Sequence, residues 1–127
     1  MKYIYGLNKS GESIINYLNK TKEKYCCWDD DEKVRLKLLK KNKKINFLKP
    51  EELEHELIDD VYVTPGISLN YHKLSVLKNK GLRLSRDLNL YLKLVNKKKI
   101  IAITGTNGKS TTTKLISDLL NQNNLNN

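Results

Sequence analysis

The chain has 127 residues and a formal charge of +10, from 24 Lys and Arg against 14 Asp and Glu. Hydrophobic residues make up 39% and charged residues 30%, a balance that can bury a core and is unlike a disordered polyelectrolyte. Apolar runs such as Ile100–Ile103 fall far short of the ~20 residues of a membrane span, and Met1–Gly6 lacks the apolar stretch of a signal peptide. A cytoplasmic protein without membrane insertion is expected.

The positive charge invites a nucleic-acid reading. Of the 24 basic residues, only Arg35, Arg83 and Arg86 are Arg, and Asn is abundant while Gln occurs once, at Gln122. Lys and Asn both have AT-rich codons, so genome composition accounts for much of the excess. A dedicated nucleic-acid surface more often uses Arg forks and stacked aromatics. The charge is therefore expected to solvate the surface, with no nucleic-acid partner.

The elements follow in chain order, alternating short β-like runs with helical ones, as in an α/β domain with a mostly parallel sheet. Lys2–Leu7 reads as the first strand. A turn at Asn8–Gly11 leads into a helix with Ile14, Ile15 and Leu18 on one face. Tyr25–Trp28 is the second strand; its adjacent Cys26 and Cys27 point to opposite faces and suit packing, not a disulfide or a metal knuckle. The acids Asp29–Glu32 open a Lys-rich helix, where the helix dipole favours negative charge.

Ile45–Leu48 is expected as a short strand, and Pro50 with Glu51 and Glu52 as a helix start. Val61–Val63 is a clearer strand, broken by Thr64-Pro65-Gly66. His72–Lys80 reads as helical and stops at Gly81. Leu82–Ser85 follows as a strand and Asp87–Val95 as a helix, then a polar linker at Asn96–Lys99. Beyond it, Ile100–Thr104 is strongly β-like, Gly105–Thr111 is a loop, and Thr112–Asn121 carries Leu115, Ile116, Leu119 and Leu120 on one helical face. His55, in a Glu-rich stretch, is expected to be exposed, and His72 to support its loop; neither has a catalytic or metal-binding pattern around it.

The most informative segment is Ile100–Thr111. An apolar strand, a glycine turn and Lys-Ser at a helix start form a phosphate loop. Gly105 and Gly108 let the backbone bend around phosphate oxygens, toward which free N–H groups of the loop and first helical turn point. Lys109 would offset β/γ-phosphate charge, and the Ser110 hydroxyl is placed to ligate Mg²⁺. The general pattern has four residues between its glycines, whereas two stand here, and Ile103 occupies the place of the outer Gly.

Thr104-Gly105-Thr106-Asn107-Gly108-Lys109-Ser110-Thr111 closely resembles the ATP loop of the Mur ligase family, which uses this shortened form. Folylpolyglutamate synthases share a similar loop. The N-terminal segments narrow the resemblance. Gly6-Leu7-Asn8-Lys9-Ser10-Gly11 follows a strand and opens a helix, as in a dinucleotide-type turn, with Asn8 where Gly is usual; Asn tolerates left-handed backbone better than most residues. Trp28-Asp29-Asp30 and Val63-Thr64-Pro65-Gly66-Ile67 end later strands at the same sheet edge, where doubly wound sheets bind ligands. This order resembles the Mur ligases that add D-glutamate to UDP-N-acetylmuramoyl-L-alanine. Arg86-Asp87-Leu88-Asn89-Leu90 departs from the Gly-Asp-Ile-Glu-Leu run usual there.

The resemblance implies a Rossmann-like domain at 1–95 that binds the UDP end of UDP-N-acetylmuramoyl-L-alanine. A linker and the opening strand, P-loop and helix of an ATP-binding domain follow at 96–127. It places Lys9 and Ser10 near the diphosphate, Asp29 and Asp30 near the uridine, and Thr64, Pro65 and Gly66 along the same substrate. Gly105, Thr106, Asn107, Gly108, Lys109, Ser110 and Thr111 would bind ATP, with Ser110 on Mg²⁺. The implied reaction is ATP-dependent amide formation with D-glutamate through an acyl phosphate, in a monomeric cytoplasmic enzyme of peptidoglycan-precursor synthesis. These 127 residues alone are expected to be inactive, since the remaining catalytic parts would lie elsewhere. Another ligase of the family would differ in its preferred UDP-muramoyl substrate, and a noncatalytic nucleotide-sugar-binding module would bind UDP ligands without an ATPase domain.

Overall fold

The computed structural model describes residues 1–42, 44–95 and 100–125; the expected linker Asn96–Lys99 lies outside them. The chain divides into two compact units, Met1–Asn96 and Lys97–Asn127. The first unit holds a four-stranded sheet of β1 (Lys2–Tyr5), β2 (Tyr25–Trp28), β3 (Asp60–Val63) and β4 (Leu84–Arg86), in the order β2-β1-β3-β4. Every pairing is parallel: Tyr3 stands opposite Cys26 on one side and Val61 on the other, and Val61 opposite Leu84. The order steps outward from β1 in both directions. That makes the C-terminal ends of β1 and β3 the topological switch point, where such sheets open a crevice.

Alternation of side chains across the strands builds two core layers. Tyr3, Tyr5, Cys26, Val61 and Val63 face one layer with Leu53, Ile58, Leu74 and Leu77. Ile4, Cys27 and Tyr62 face the other with Ile14, Ile15, Leu18, Leu38 and Leu90. The two cysteines are buried, unbridged and divided between the layers, as their adjacency requires. Helices α1 (Lys9–Thr21), α2 (Glu32–Lys41) and α4 (Asp87–Leu94) supply the second layer; the short α3 (Ser75–Asn79) supplies the first.

Several boundaries differ from those read in the sequence. The first strand stops at Tyr5, because Gly6 turns the chain at φ +94°, outside any strand geometry. Ile45–Leu48 forms a single parallel bridge, Phe47 to Cys27, with bonds from Cys27 N to the Asn46 carbonyl (3.0 Å) and from Leu48 N to the Cys27 carbonyl (3.2 Å). Pro50 opens only a three-residue 3₁₀ turn, and His72–Lys80 begins as a 3₁₀ turn at His72–Leu74 before α3. The last strand lies at Leu84–Arg86, two residues later than expected at its start, since the chain leaves α3 through Gly81 at φ +76°. His55 is exposed, and the His72 ring stands edge-on to Tyr71 at 4.6 Å.

In the second unit, Ile100–Thr104 does not form the expected strand. A strand is held by ladder bonds to a neighbour, and among the described residues none pairs with it. Ile100 and Ile101 remain exposed instead. Helix α5 (Lys109–Gln122) does form, but none of its residues is buried; Leu115 and Leu119 are exposed. Among the described residues, no helix is long and apolar enough to cross a membrane.

At the opposite sheet edge, Asp60 accepts from Lys2 Nζ at 2.6 Å and Lys93 Nζ at 2.7 Å. Burial opposes its charge, but these two lysines win and bring its pKa down to about 2. The folded pKa lies below the ordinary value, so the stabilisation is complete above pH 4 and is lost as pH falls toward 2. Asp60→Asn should therefore flatten the fall in unfolding free energy between pH 4 and 2, measured by urea titration; an unchanged slope would contradict this. Amide exchange should also be faster through Ile100–Thr104 than through β1 and β3.

Candidate functional site

Three loops meet at the C-terminal edge of β1, β2 and β3. The first is the glycine turn. Gly6 stands so close to β3's end that a Cβ on it would lie 2.1 Å from Thr64 Oγ1. Gly11, in the first turn of α1, faces the Gly6 carbonyl, where a Cβ would come within 2.0 Å of the oxygen. Both positions thus require glycine on steric grounds. Asn8, by contrast, is extended, at φ −68° and ψ −163°. The left-handed backbone that Asn was expected to tolerate is not needed there, because Gly6 makes the bend.

The second loop follows β2. Asp29 is buried, and its carboxylate is turned inward: Oδ2 accepts from Leu7 N at 2.7 Å and Oδ1 from Asp31 N at 2.9 Å. It ties the glycine turn to the end of β2. Arg35 donates to the Asp29 carbonyl at 2.5 Å and lies over the Trp28 ring, 4.2 Å from its centroid. Asp31 caps α2 by accepting from Lys33 N.

Asp30 points the other way, into a cluster. Oδ2 accepts from the hydroxyls of Tyr5 and Tyr71, each at 2.9 Å, and lies 3.2 Å from Lys73 Nζ; Oδ1 accepts from Trp28 Nε1 at 3.1 Å. Partial burial pushes its pKa up, but the bonds from Tyr71, Tyr5, Lys73 and Trp28 outweigh that and hold the carboxyl below its usual range. Asp30 thereby joins the end of β2 to the loop that follows β3.

The third loop is Thr64–Ile67. Thr64 is buried, Pro65 and Gly66 are exposed, and Ile67 N donates back to the Thr64 carbonyl at 3.1 Å. Arg86, at the end of β4, closes it from the side: Nη1 donates to the carbonyls of Thr64 (2.8 Å), Ile67 (2.7 Å) and Val63 (3.4 Å). Lys9 and Ser10 open α1 at the rim, and Lys9 also lines a cleft of about 290 Å³ with Leu7, Asn8, Glu12, Lys33 and Lys37. The edge gathers all of Lys9, Ser10, Asp29, Asp30, Thr64, Pro65 and Gly66. Tyr5, Tyr71, Lys73 and Arg86 join them. Sequence reading missed these four as site residues, although the departure at Arg86 was a signal.

In the second unit the loop Gly105–Thr111 has its own geometry. Gly105 and Gly108 take φ +146° and +74°, and Gly108 caps α5. The N–H groups of Lys109, Ser110 and Thr111 begin the helix with no carbonyl of an earlier turn to receive them. The Lys109 ammonium folds back onto the carbonyls of Gly105 and Thr106, and Thr106 through Thr111 are exposed. A cation already stands over the loop, and the helix dipole is positive at the same end. This suits a phosphate, and the exposed Ser110 hydroxyl suits a metal beside it.

No family model matches the chain. Sequence comparison finds UDP-N-acetylmuramoylalanine–D-glutamate ligases. That of Wolbachia sp. subsp. Brugia malayi (strain TRS) is 34% identical over 122 residues, 92% of this chain and 24% of the ligase. The ligase of Rickettsia prowazekii (strain Madrid E) is 36% identical, with 96% of this chain and 27% of the ligase covered. The chain is a relative of these ligases. That of Clostridioides difficile (strain 630) is likewise 36% identical, across 94% of this chain and 28% of its own length. The chain spans about a quarter of the length of the ligases it matches, and the similarity takes in both units.

Asp29→Asn leaves one oxygen for two backbone donors, of which Leu7 N is buried. It should cost roughly 1–3 kcal/mol in urea unfolding. Gly11→Ala, which drives a methyl into the Gly6 carbonyl, should cost at least as much, roughly 2–4 kcal/mol, while Gly66→Ala, with open space around it, should stay within about 0.5 kcal/mol.

Proposed function

We propose that this chain supplies the UDP-substrate domain and the start of the ATP-binding domain of a cytoplasmic ligase of peptidoglycan-precursor synthesis. That ligase joins D-glutamate to UDP-N-acetylmuramoyl-L-alanine at the expense of ATP. One observation carries the reading: a steric glycine turn, an acidic β2 end and a Thr-Pro-Gly turn converge at the switch point of a parallel sheet, in a chain related to these ligases throughout.

The geometry of each unit supports the roles. The first turn of α1, at Lys9 and Ser10, faces the rim with free N–H groups and a lysine, which suits a diphosphate. Asp30, at the surface, is the carboxylate offered to the uridine, while Asp29 holds the turn from beneath. Thr64, Pro65 and Gly66 form the wall beside them. In the loop of the second unit, the backbone of Gly105, Thr106, Asn107, Gly108 and Thr111 would cradle the triphosphate. Lys109 would move from the Gly105 carbonyl to the β/γ-phosphates, and Ser110 would hold Mg²⁺, whose charge offsets that of the phosphates.

In the proposed reaction, the substrate carboxylate oxygen attacks the γ-phosphorus and ADP leaves. The amine of D-glutamate then attacks the acyl carbon, loses a proton to a base and expels phosphate. Lys109 contributes by positioning and by compensating charge as it shifts to the departing ADP oxygen. Neither the base nor the D-glutamate site is assigned to these 127 residues.

Titration calorimetry with UDP tests the first unit. Saturable binding is expected, weakened about tenfold by Lys9→Ala or Asp30→Ala, the loss of one charged hydrogen bond. No saturation up to millimolar UDP would overturn the reading. With ATP, D-glutamate and the UDP-muramoyl substrate, the chain by itself should form no product; ATP-dependent product would show that the catalytic parts are all present.

A further inference from the structure

Arg86 stands at the end of β4 and reaches three carbonyls at and beside the crevice wall. It ends β4 opposite Val63, so its side chain starts one strand away from the Thr64 turn and reaches across it. A single nitrogen, Nη1, lies within hydrogen-bonding distance of three carbonyls, those of Val63, Thr64 and Ile67. Carbonyl oxygens that converge this way repel one another, and a fixed cation between them removes that penalty. Asn89 steadies the arrangement, its Oδ1 accepting from Arg86 N at 3.1 Å at the start of α4. Arg86 and Asn89, two of the three residues that depart from the Gly-Asp-Ile-Glu-Leu run, therefore work as a local pair.

The turn so held is not isolated. Thr64 is the residue against which both glycines of the phosphate turn are packed: its Oγ1 fills the place of a Gly6 Cβ, and its Cγ2 lies 3.5 Å from that of a Gly11 Cβ. Thr64 N also donates to the Tyr5 carbonyl at 3.0 Å, immediately before Gly6. With contacts this close, Thr64 cannot shift without moving Gly6.

We infer that Arg86 is a positioning residue of the UDP crevice: it sets the Thr64–Ile67 wall and, through Thr64, the glycine turn that receives the diphosphate. This rests on the UDP-binding reading above for its ligand, but not for its mechanical part. Arg86 touches no substrate in this scheme; it acts through Thr64.

The test uses the full chain with Arg86→Gly and Arg86→Lys. Hydrogen exchange needs no ligand. Arg86→Gly should speed exchange at Ile67 and, across the crevice, at Gly6 and Leu7, while Ile4 and Tyr62 in the sheet centre keep their protection. UDP affinity should fall about tenfold, the worth of one charged hydrogen bond, and Arg86→Lys should recover part of it. Guanidinium at low millimolar concentration should restore the Gly variant, whereas sodium at equal ionic strength should not. Faster exchange at Ile67 alone, uniformly faster exchange over the whole unit, or unchanged UDP affinity would each overturn the inference. If the unsubstituted chain fails to bind UDP, the ligand reading falls, and the exchange pattern still decides whether Arg86 couples the two turns.

Discussion

The crevice depends on the absence of two side-chain carbons. At Gly6 and Gly11 there is no room for a Cβ, since Thr64 Oγ1 and the Gly6 carbonyl occupy those places. That contact lets α1 begin directly against the sheet, with its first turn at the rim. It also brings β3's end within van der Waals reach of β1's end. Asp29 completes the arrangement by accepting from Leu7 N, a donor that the turn would otherwise bury without a partner. A parallel sheet opens a crevice at its switch point for topological reasons, but the width and lining here follow from this steric closeness.

Charge is then distributed around that contact in a definite way. Two carboxylates adjacent in sequence, just past the end of β2, have opposite duties, because the bend there turns their side chains to opposite sides. Asp29 faces in and is used by backbone donors; Asp30 faces out and gathers Tyr5, Tyr71, Trp28 and Lys73. On the other side, Arg86 gathers carbonyls. An anion and a cation, each multiply bonded, brace the loop after β3 from its two ends. The large positive charge of the chain has little part in this; Lys9, Lys73 and Arg86 matter by position, not number.

The parts of the fold legible in the sequence were those governed by local pattern. Tyr25–Trp28 and the face of Ile14, Ile15 and Leu18 emerged as read, because alternation and helical period are properties of neighbouring residues. Ile100–Thr104 is the instructive failure. Its apolar, β-branched run has every intrinsic preference for a strand, yet it has no ladder partner among the described residues and remains irregular, with Ile100 and Ile101 exposed. Strand propensity expresses how well a residue fits beside a neighbour, and cannot act without one. Ile45–Leu48 shows the same effect in milder form, with one bridge at an edge.

What the sequence determined by itself was the set of local motifs. The spacing of glycines, lysine and serine in Gly105–Thr111, and the order of three turns at strand ends, depend on residues close in the chain, and they pointed to phosphate and nucleotide recognition. What only the tertiary structure decided was which side of the turn each of those residues would serve. Asp29 and Asp30 are indistinguishable in sequence; the fold spends one on the glycine turn and leaves the other at the surface. Arg86 looked like a lapse in a motif, and became the brace of a loop 19 residues earlier, at Ile67. Such roles are set by atoms brought together across strands, and no local pattern contains them.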